Sequence, residues 1–168
     1  MKGIRIIASG IGILIFQWAF IQGLPLSIYG NPYMYLWFLL ILPFQMSTPL
    51  QYFLAFLIGS LMDSFEQSGG AHTIACLTLI VLKPIVENAL LGFRKPEEDE
   101  GLAALSLAPF ISTAAILVII HHLMLFTFEN YGFDHYEQVL IRTFFSTLLT
   151  LLLLFILHAL IGKRHAKK

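Results

Sequence analysis

Asp63 stands at the end of a long apolar run and is followed at once by a glycine turn, in the stretch Gly59-Ser60-Leu61-Met62-Asp63-Ser64-Phe65-Glu66-Gln67-Ser68-Gly69-Gly70-Ala71-His72. A carboxylate is costly in lipid, so one kept there has a partner or a task. Arg142 lies a few residues into another apolar run. Its guanidinium is the natural bidentate partner for a desolvated carboxylate. A further polar set is Lys83-Pro84-Ile85-Val86-Glu87-Asn88. Lys83 and Glu87 are i,i+4 neighbours on one helix face, and Pro84 takes away the donor that the Ile80 carbonyl would receive. These groups must face protein or trapped water rather than lipid tails.

Other chemistry finds less support. His121 and His122 are adjacent, so on a helix they point about 100° apart and do not chelate one metal together. His72, His135 and His158 are scattered among different depths, and no metal site is expected. The single Cys76 lies inside an apolar run, which leaves no disulfide framework and no cysteine metal site within one chain. No serine–base pairing with supporting context, phosphate-binding glycine loop or hydrolytic carboxylate cluster is present. The expectation is a protein that is not an enzyme and carries no cofactor, with the bilayer rather than nucleic acid as its surroundings.

Composition sets the elements that position these residues. The chain has 168 residues, 58% of them hydrophobic and 12% charged, with no net charge and a mean hydropathy of +0.81. Soluble domains carry about 25% charged residues. Apolar runs recur along the whole length with no polar stretch long enough for an aqueous domain, so 1–168 reads as one all-α integral membrane domain. The first run, 6–24, imitates a signal peptide but lacks an Ala-x-Ala-like site and reads as an uncleaved span. The others cover 32–45, 49–65, 71–91, 103–128 and 136–161, giving six segments. The second and third are short, at roughly 21 and 26 Å, and are either short spans or a re-entrant hairpin.

Loop cations orient the segments. With the N-terminus cytoplasmic, Lys2, Arg5, Arg94, Lys95, Lys163, Arg164, Lys167 and Lys168 fall on the cytoplasmic side, while loops 25–31, 64–70 and 129–135 carry no Lys or Arg. This is the positive-inside pattern with both termini cytoplasmic. Asp63 then lies near the outer face, Arg142 about 8–9 Å in from it, and Lys83 about 18 Å in. The depths leave open an Asp63–Arg142 pair that locks the third helix to the sixth or separate snorkelling of each to the interface, with no second acid at Asp63's own depth. For Lys83 and Glu87 they leave open an internal pair with a packing kink or a contact site for another helix or small ligand. Tyr29, Tyr33, Tyr35 and Trp37 at one outer boundary, and Tyr131 and Tyr136 at another, fit an interfacial aromatic belt. Leu148 to Leu154 reads as lipid-facing bulk. Ala55 and Gly59 form a small-xxx-small pair of the kind that lets helices approach.

The stretch from about Leu50 to Gly92 resembles MreD, the rod shape-determining membrane protein D of bacteria. The likeness rests on Gly59 and Asp63 (Gly-x-x-x-Asp), the turn Gly69-Gly70, and a long helix opened by Ala71-His72-Thr73. His121-His122 ahead of a short aromatic loop, and a Leu-rich last helix containing Arg142, are in the manner of Bacteroidota members. The resemblance implies a non-enzymatic component of the machinery that elongates rod-shaped cells. Such a protein sits in the inner membrane beside MreC and acts with MreB, RodA and the elongation penicillin-binding protein. It also implies a fold similar to the substrate-binding subunits of energy-coupling vitamin transporters, and fold likeness is not likeness of function. The alternative function is a vitamin-like, small-molecule binding subunit of a transporter. Lys83, Pro84 and the acidic loop 97–100 are not part of the family motif.

Overall fold

A computed structural model describes residues 10–21, 30–92, 100–130 and 135–161. The first apolar run forms a helix over Gly10–Ala19 (α1) that widens into a π turn at Gln17–Ile21. A five-residue helix, Leu36–Leu40 (α2), follows, then Thr48–Glu66 (α3) and Ala71–Leu91 (α4). A 3-10 turn, Leu102–Ala104, leads into Leu107–Glu129 (α5), and Tyr136–Ile161 (α6) completes the chain. There is no strand among the described residues. Pro49 sits in the first turn of α3, where its missing N–H costs no hydrogen bond. α3 stops where Gln67 turns left-handed, and Gly69 and Gly70 are left-handed as well. Two glycines there reverse the chain without the Cβ clash that other residues suffer.

Three helices are long and apolar enough to cross a bilayer: Ala71–Leu91, Leu107–Glu129 and Tyr136–Leu160. Large apolar side chains point outward from them, including Ile85 at 61%, Phe144 at 61% and Leu160 at 72% exposure. Apolar surface of this extent is at home in lipid rather than water. Among the described residues the protein is all-helical, with three helices fit to span a membrane. The cations on which the orientation rests lie outside the described residues.

α3 packs on α4, α4 on α5 and α5 on α6. Gly59 of α3 makes the first contact close, since a Cβ there would stand 2.5 Å from the Thr73 Cα. The small pair Ala55 and Gly59 is buried against its neighbours as its spacing suggests. The second segment departs from a plain helix. Only Leu36–Leu40 is helical, about 7–8 Å of rise, and every one of those residues is buried. Tyr33, Tyr35 and Trp37 are buried too, so they are core side chains and not an interfacial belt. Tyr29 and Tyr131 of the expected belt lie outside the described residues.

An irregular segment inside an apolar bundle must find protein partners for its backbone. Asn31 N–H donates to Ser146 Oγ at 3.0 Å and Tyr33 N–H to Thr150 Oγ1 at 2.9 Å, both on α6. Gln17 of α1 donates to the Pro32 carbonyl at 3.0 Å and accepts from Met34 N–H at 2.6 Å. Past α2, Phe44 N–H donates to the Glu100 carbonyl at 3.0 Å.

Lys83 serves the same segment. Its Nζ donates to the carbonyls of Leu39 and Leu42 at 3.2 and 3.0 Å, and lies 3.8 Å from Glu87 Oε1. The internal Lys83–Glu87 pair is present, and the ammonium also closes the end of α2. Pro84 sits within the continuous α4, and Pro84 and Asn88 are both exposed, outside this buried group. Lys83→Met leaves two buried carbonyls without that donor and is expected to cost about 3 kcal/mol. SDS unfolding of the purified protein in mixed micelles measures this as an earlier transition. Asn88→Ala is expected to stay within about 0.5 kcal/mol of the parent.

Candidate functional site

The residues of the Gly-x-x-x-Asp stretch meet at the corner between α3 and α4. Gly70 occupies the N-cap position of α4 and has no side chain to cap with. Asp63, one helix away, takes over that role. Its Oδ1 accepts from the His72 N–H at 2.8 Å and its Oδ2 from the Thr73 N–H at 3.0 Å. These are the second and third residues of α4, whose N–H groups lack helical acceptors. Ser68 Oγ and Thr73 Oγ1 donate to the two carboxylate oxygens at 2.5 Å each. Four donors surround one carboxylate at the positive end of a helix, where a negative charge is favoured.

Arg142 does not join this corner. Its Nη2 donates to Glu129 Oε2 at 2.7 Å, and the guanidinium lies 4.2 Å above the Phe126 ring. The Asp63–Arg142 pair that depth left open is therefore replaced by a Glu129–Arg142 pair joining the end of α5 to the start of α6. The short α5–α6 connection brings those two together, while Asp63's oxygens are already taken.

Beside the corner lies a second acidic group that the depth reading overlooked. His72 Nε2 stands 3.2 Å from Glu66 Oε2 and 4.0 Å from Glu129 Oε1. His72 is fully buried, and the two glutamate side chains are each 15% exposed. Tyr35 Oη links α4 to α5, lying 2.8 Å from His72 Nδ1 and 3.0 Å from His121 Nε2. Tyr33 packs its ring against both His72 and His122, with centroids 5.4 Å away in each case. His121 and His122 point to different neighbours as adjacent helical residues do: His122 Nδ1 meets Thr147 Oγ1 on α6 at 3.0 Å. Cys76, buried as expected, places its sulfur 3.9 Å from His121 Nε2.

Of the residues singled out from sequence, Gly59, Asp63, Gly69, Gly70 and His72 come together, and Arg142 approaches through Glu129. Lys83, Pro84, Glu87 and Asn88 lie about three turns or more further along α4. Glu66, Glu129, Tyr33 and Tyr35 were missed. Glu66 and Glu129 each end an apolar helix in the sequence, at the depth assigned to Asp63, and that signal was available. The hydroxyl stripe Thr143, Ser146, Thr147 and Thr150 was also legible as an i, i+3, i+4, i+7 series, and all four are buried. Leu148 and Leu152 do face outward, while Leu154 is buried.

Compared with models of known protein families, with curated proteins and with solved structures, the chain matches none.

Asp63→Ala removes acceptors for two helix-end N–H groups and two hydroxyls and is expected to cost about 2–3 kcal/mol. The loss is to be read by SDS unfolding together with faster amide exchange at His72 and Thr73. A reversal test distinguishes the partners of Arg142. Glu129→Arg with Arg142→Glu is expected to recover much of what either single reversal loses, an effect of about 1 kcal/mol for a partly exposed pair. Asp63→Arg with Arg142→Asp is expected to recover nothing.

Proposed function

We propose that the chain is a non-enzymatic scaffold of the bacterial cell-elongation machinery, of the MreD kind, which binds the single span of MreC. MreB, RodA and the elongation penicillin-binding protein belong to the wider assembly. In this reading the protein lies in the inner membrane with both termini cytoplasmic, and α1, the segment around α2, and α3 complete six membrane segments with α4, α5 and α6. One observation carries the proposal. The residues through which the sequence resembles that family meet at one corner, and Asp63 spends its oxygens on holding α3 to α4 there. A carboxylate so committed is architecture rather than chemistry.

The surface next to the corner supports a docking role. Phe53, Phe56, Leu57, Leu61 and Phe65 of α3 are exposed. An apolar groove between α1 and α3, lined by Ile11, Leu14, Phe53, Leu57 and Leu61, has Phe38 among its walls. Between helices in lipid, shape and close packing supply the attraction, and such a groove offers both to one more helix. The vitamin-binding alternative needs a central cavity with convergent polar groups. Here the centre is filled by Tyr33, Tyr35, His72, His121 and His122, which bond or pack against one another.

Co-purification from membranes is the test. Asp63→Ala is expected to reduce recovered MreC about tenfold, equivalent to about 1.4 kcal/mol of binding, while insertion stays normal. Unchanged recovery of MreC with the normally inserted variant overturns the proposal, and a vitamin-sized molecule carried through purification would favour the alternative.

A further inference from the structure

We propose that Glu66, His72 and Glu129 form a binding site for one divalent transition-metal ion, with Zn2+ the best fit. Each residue offers one ligand atom, and the three atoms lie within 4.8 Å of one another. They come from three helices: the last residue of α3, the second of α4 and the last of α5. The separation of His72 Nε2 from Glu66 Oε2, 3.2 Å, is close to the edge of a tetrahedral zinc site, about 3.4 Å for ligands about 2.1 Å from the ion. Glu129 Oε1 lies 4.0 Å from Nε2 and within 4.8 Å of the Glu66 ligand atom, so it needs to move in by about half an ångström to an ångström or more to close the same edges.

A second observation concerns the imidazole itself. His72 is fully buried, and its Nε2 makes no well-formed hydrogen bond, although the Glu66 and Glu129 carboxylates approach it at 3.2 and 4.0 Å. Its other nitrogen is held by Tyr35 Oη at 2.8 Å. This is the arrangement of a metal-ligating histidine: the outer nitrogen donates to a polar neighbour, which fixes the ring and leaves the inner lone pair for the ion. The proton order is consistent along the chain. With a metal on Nε2, His72 Nδ1–H would donate to Tyr35 Oη, and the Tyr35 hydroxyl would donate in turn to His121 Nε2, 3.0 Å away.

Charge favours a cation in the same place. Arg142 engages Glu129 through Oε2, which leaves Oε1 directed at His72 and Glu66 without a guanidinium of its own. Two of the three contributing helix ends are C-termini, whose carbonyl dipoles attract cations. An imidazole among the ligands selects against Ca2+ and Mg2+, which prefer all-oxygen sites. The partly exposed carboxylates leave one side open for entry and for a water as fourth ligand. A bound ion would staple α3, α4 and α5 at one end, a structural role that is independent of any protein partner.

The test uses the full-length protein in detergent, stripped with chelator, passed through gel filtration and titrated with Zn2+. Elemental analysis is expected to find about one Zn2+ per chain, with a raised unfolding temperature. Co2+ in its place is expected to give the visible absorption of a four- or five-coordinate ion. Glu66→Gln and His72→Ala are expected to lose both signals. Because His72→Ala also opens a cavity, Tyr35→Phe serves as a second variant, which keeps the ring and is expected to weaken binding about 10- to 100-fold. Two results overturn the proposal: a wild-type protein that retains no zinc, as when a proton alone sits between His72 and Glu66, or Glu66→Gln retaining as much zinc as wild type, which assigns the metal to other histidines.

Discussion

The fold depends on satisfying a backbone that is not helical in the middle of a bundle that has little water to offer. Residues 30 to 42 thread the core with only one short helix among them, so many of their N–H and C=O groups have no local partner. In lipid each unsatisfied group costs several kcal/mol, about as much as a folded protein can spare. The partners come from far along the chain: Gln17 on α1, Ser146 and Thr150 on α6, Lys83 on α4 and, for Phe44 just beyond, the carbonyl of Glu100. Those bonds explain why polar residues punctuate helices that are otherwise Leu- and Phe-rich. They also fix the direction of Tyr33 and Tyr35, whose side chains reach His72, His121 and His122 only because the backbone between them is pinned on both sides.

The two charges that look most out of place in the sequence solve one kind of problem at two places. Lys83 donates to carbonyls at the end of α2, and Asp63 accepts from N–H groups at the start of α4. Each sign matches the helix end it meets, positive at carbonyls and negative at amides. In both cases the charged residue sits on a different element from the end it caps. The cap is thus also a tertiary bond, and losing it loosens a helix and a helix–helix contact together. For Asp63 the coupling is tight, because Gly59 lets the backbones of α3 and α4 approach closely one turn away. A residue with a Cβ at that position would push the carboxylate out of reach of the N–H groups it serves.

Hydropathy and helix rise made the membrane class, the long helices and the α3–α4 turn legible, because these depend on runs of apolar residues and on glycine. Choosing a partner for Arg142 needed more. Rise per residue gives depth along the bundle axis but no angle around it, and Asp63, Glu66 and Glu129 share a depth. Which acid meets the arginine is decided by which helices are neighbours, and α6 lies against α5. The same blindness turned Tyr33, Tyr35 and Trp37 into an interfacial belt, since a tyrosine near a span's end has the same hydropathy whether it faces headgroups or core. The hydroxyl stripe on α6 was readable at helical spacing but was obscured by the leucines that share its turns.

Charge balance separates the two ends of the bundle. Near Pro84 the ammonium of Lys83 has the Glu87 carboxylate beside it and donates to two backbone carbonyls. At the α3–α4 corner the balance differs. Arg142 pairs with Glu129, and Asp63 is held by four donors, while Glu66 faces the imidazole of His72 at 3.2 Å. Stability alone does not call for Glu66, since a glutamine or an apolar residue at the end of α3 would satisfy the helix without bringing a second negative charge to a largely buried place. Glu66 and Glu129 both approach the Nε2 of a buried, oriented histidine, which gathers negative charge at the junction of three helices. Such a place favours a positive charge, and under the proposed metal site an ion would answer both carboxylates and the imidazole at once, which a lone proton does not.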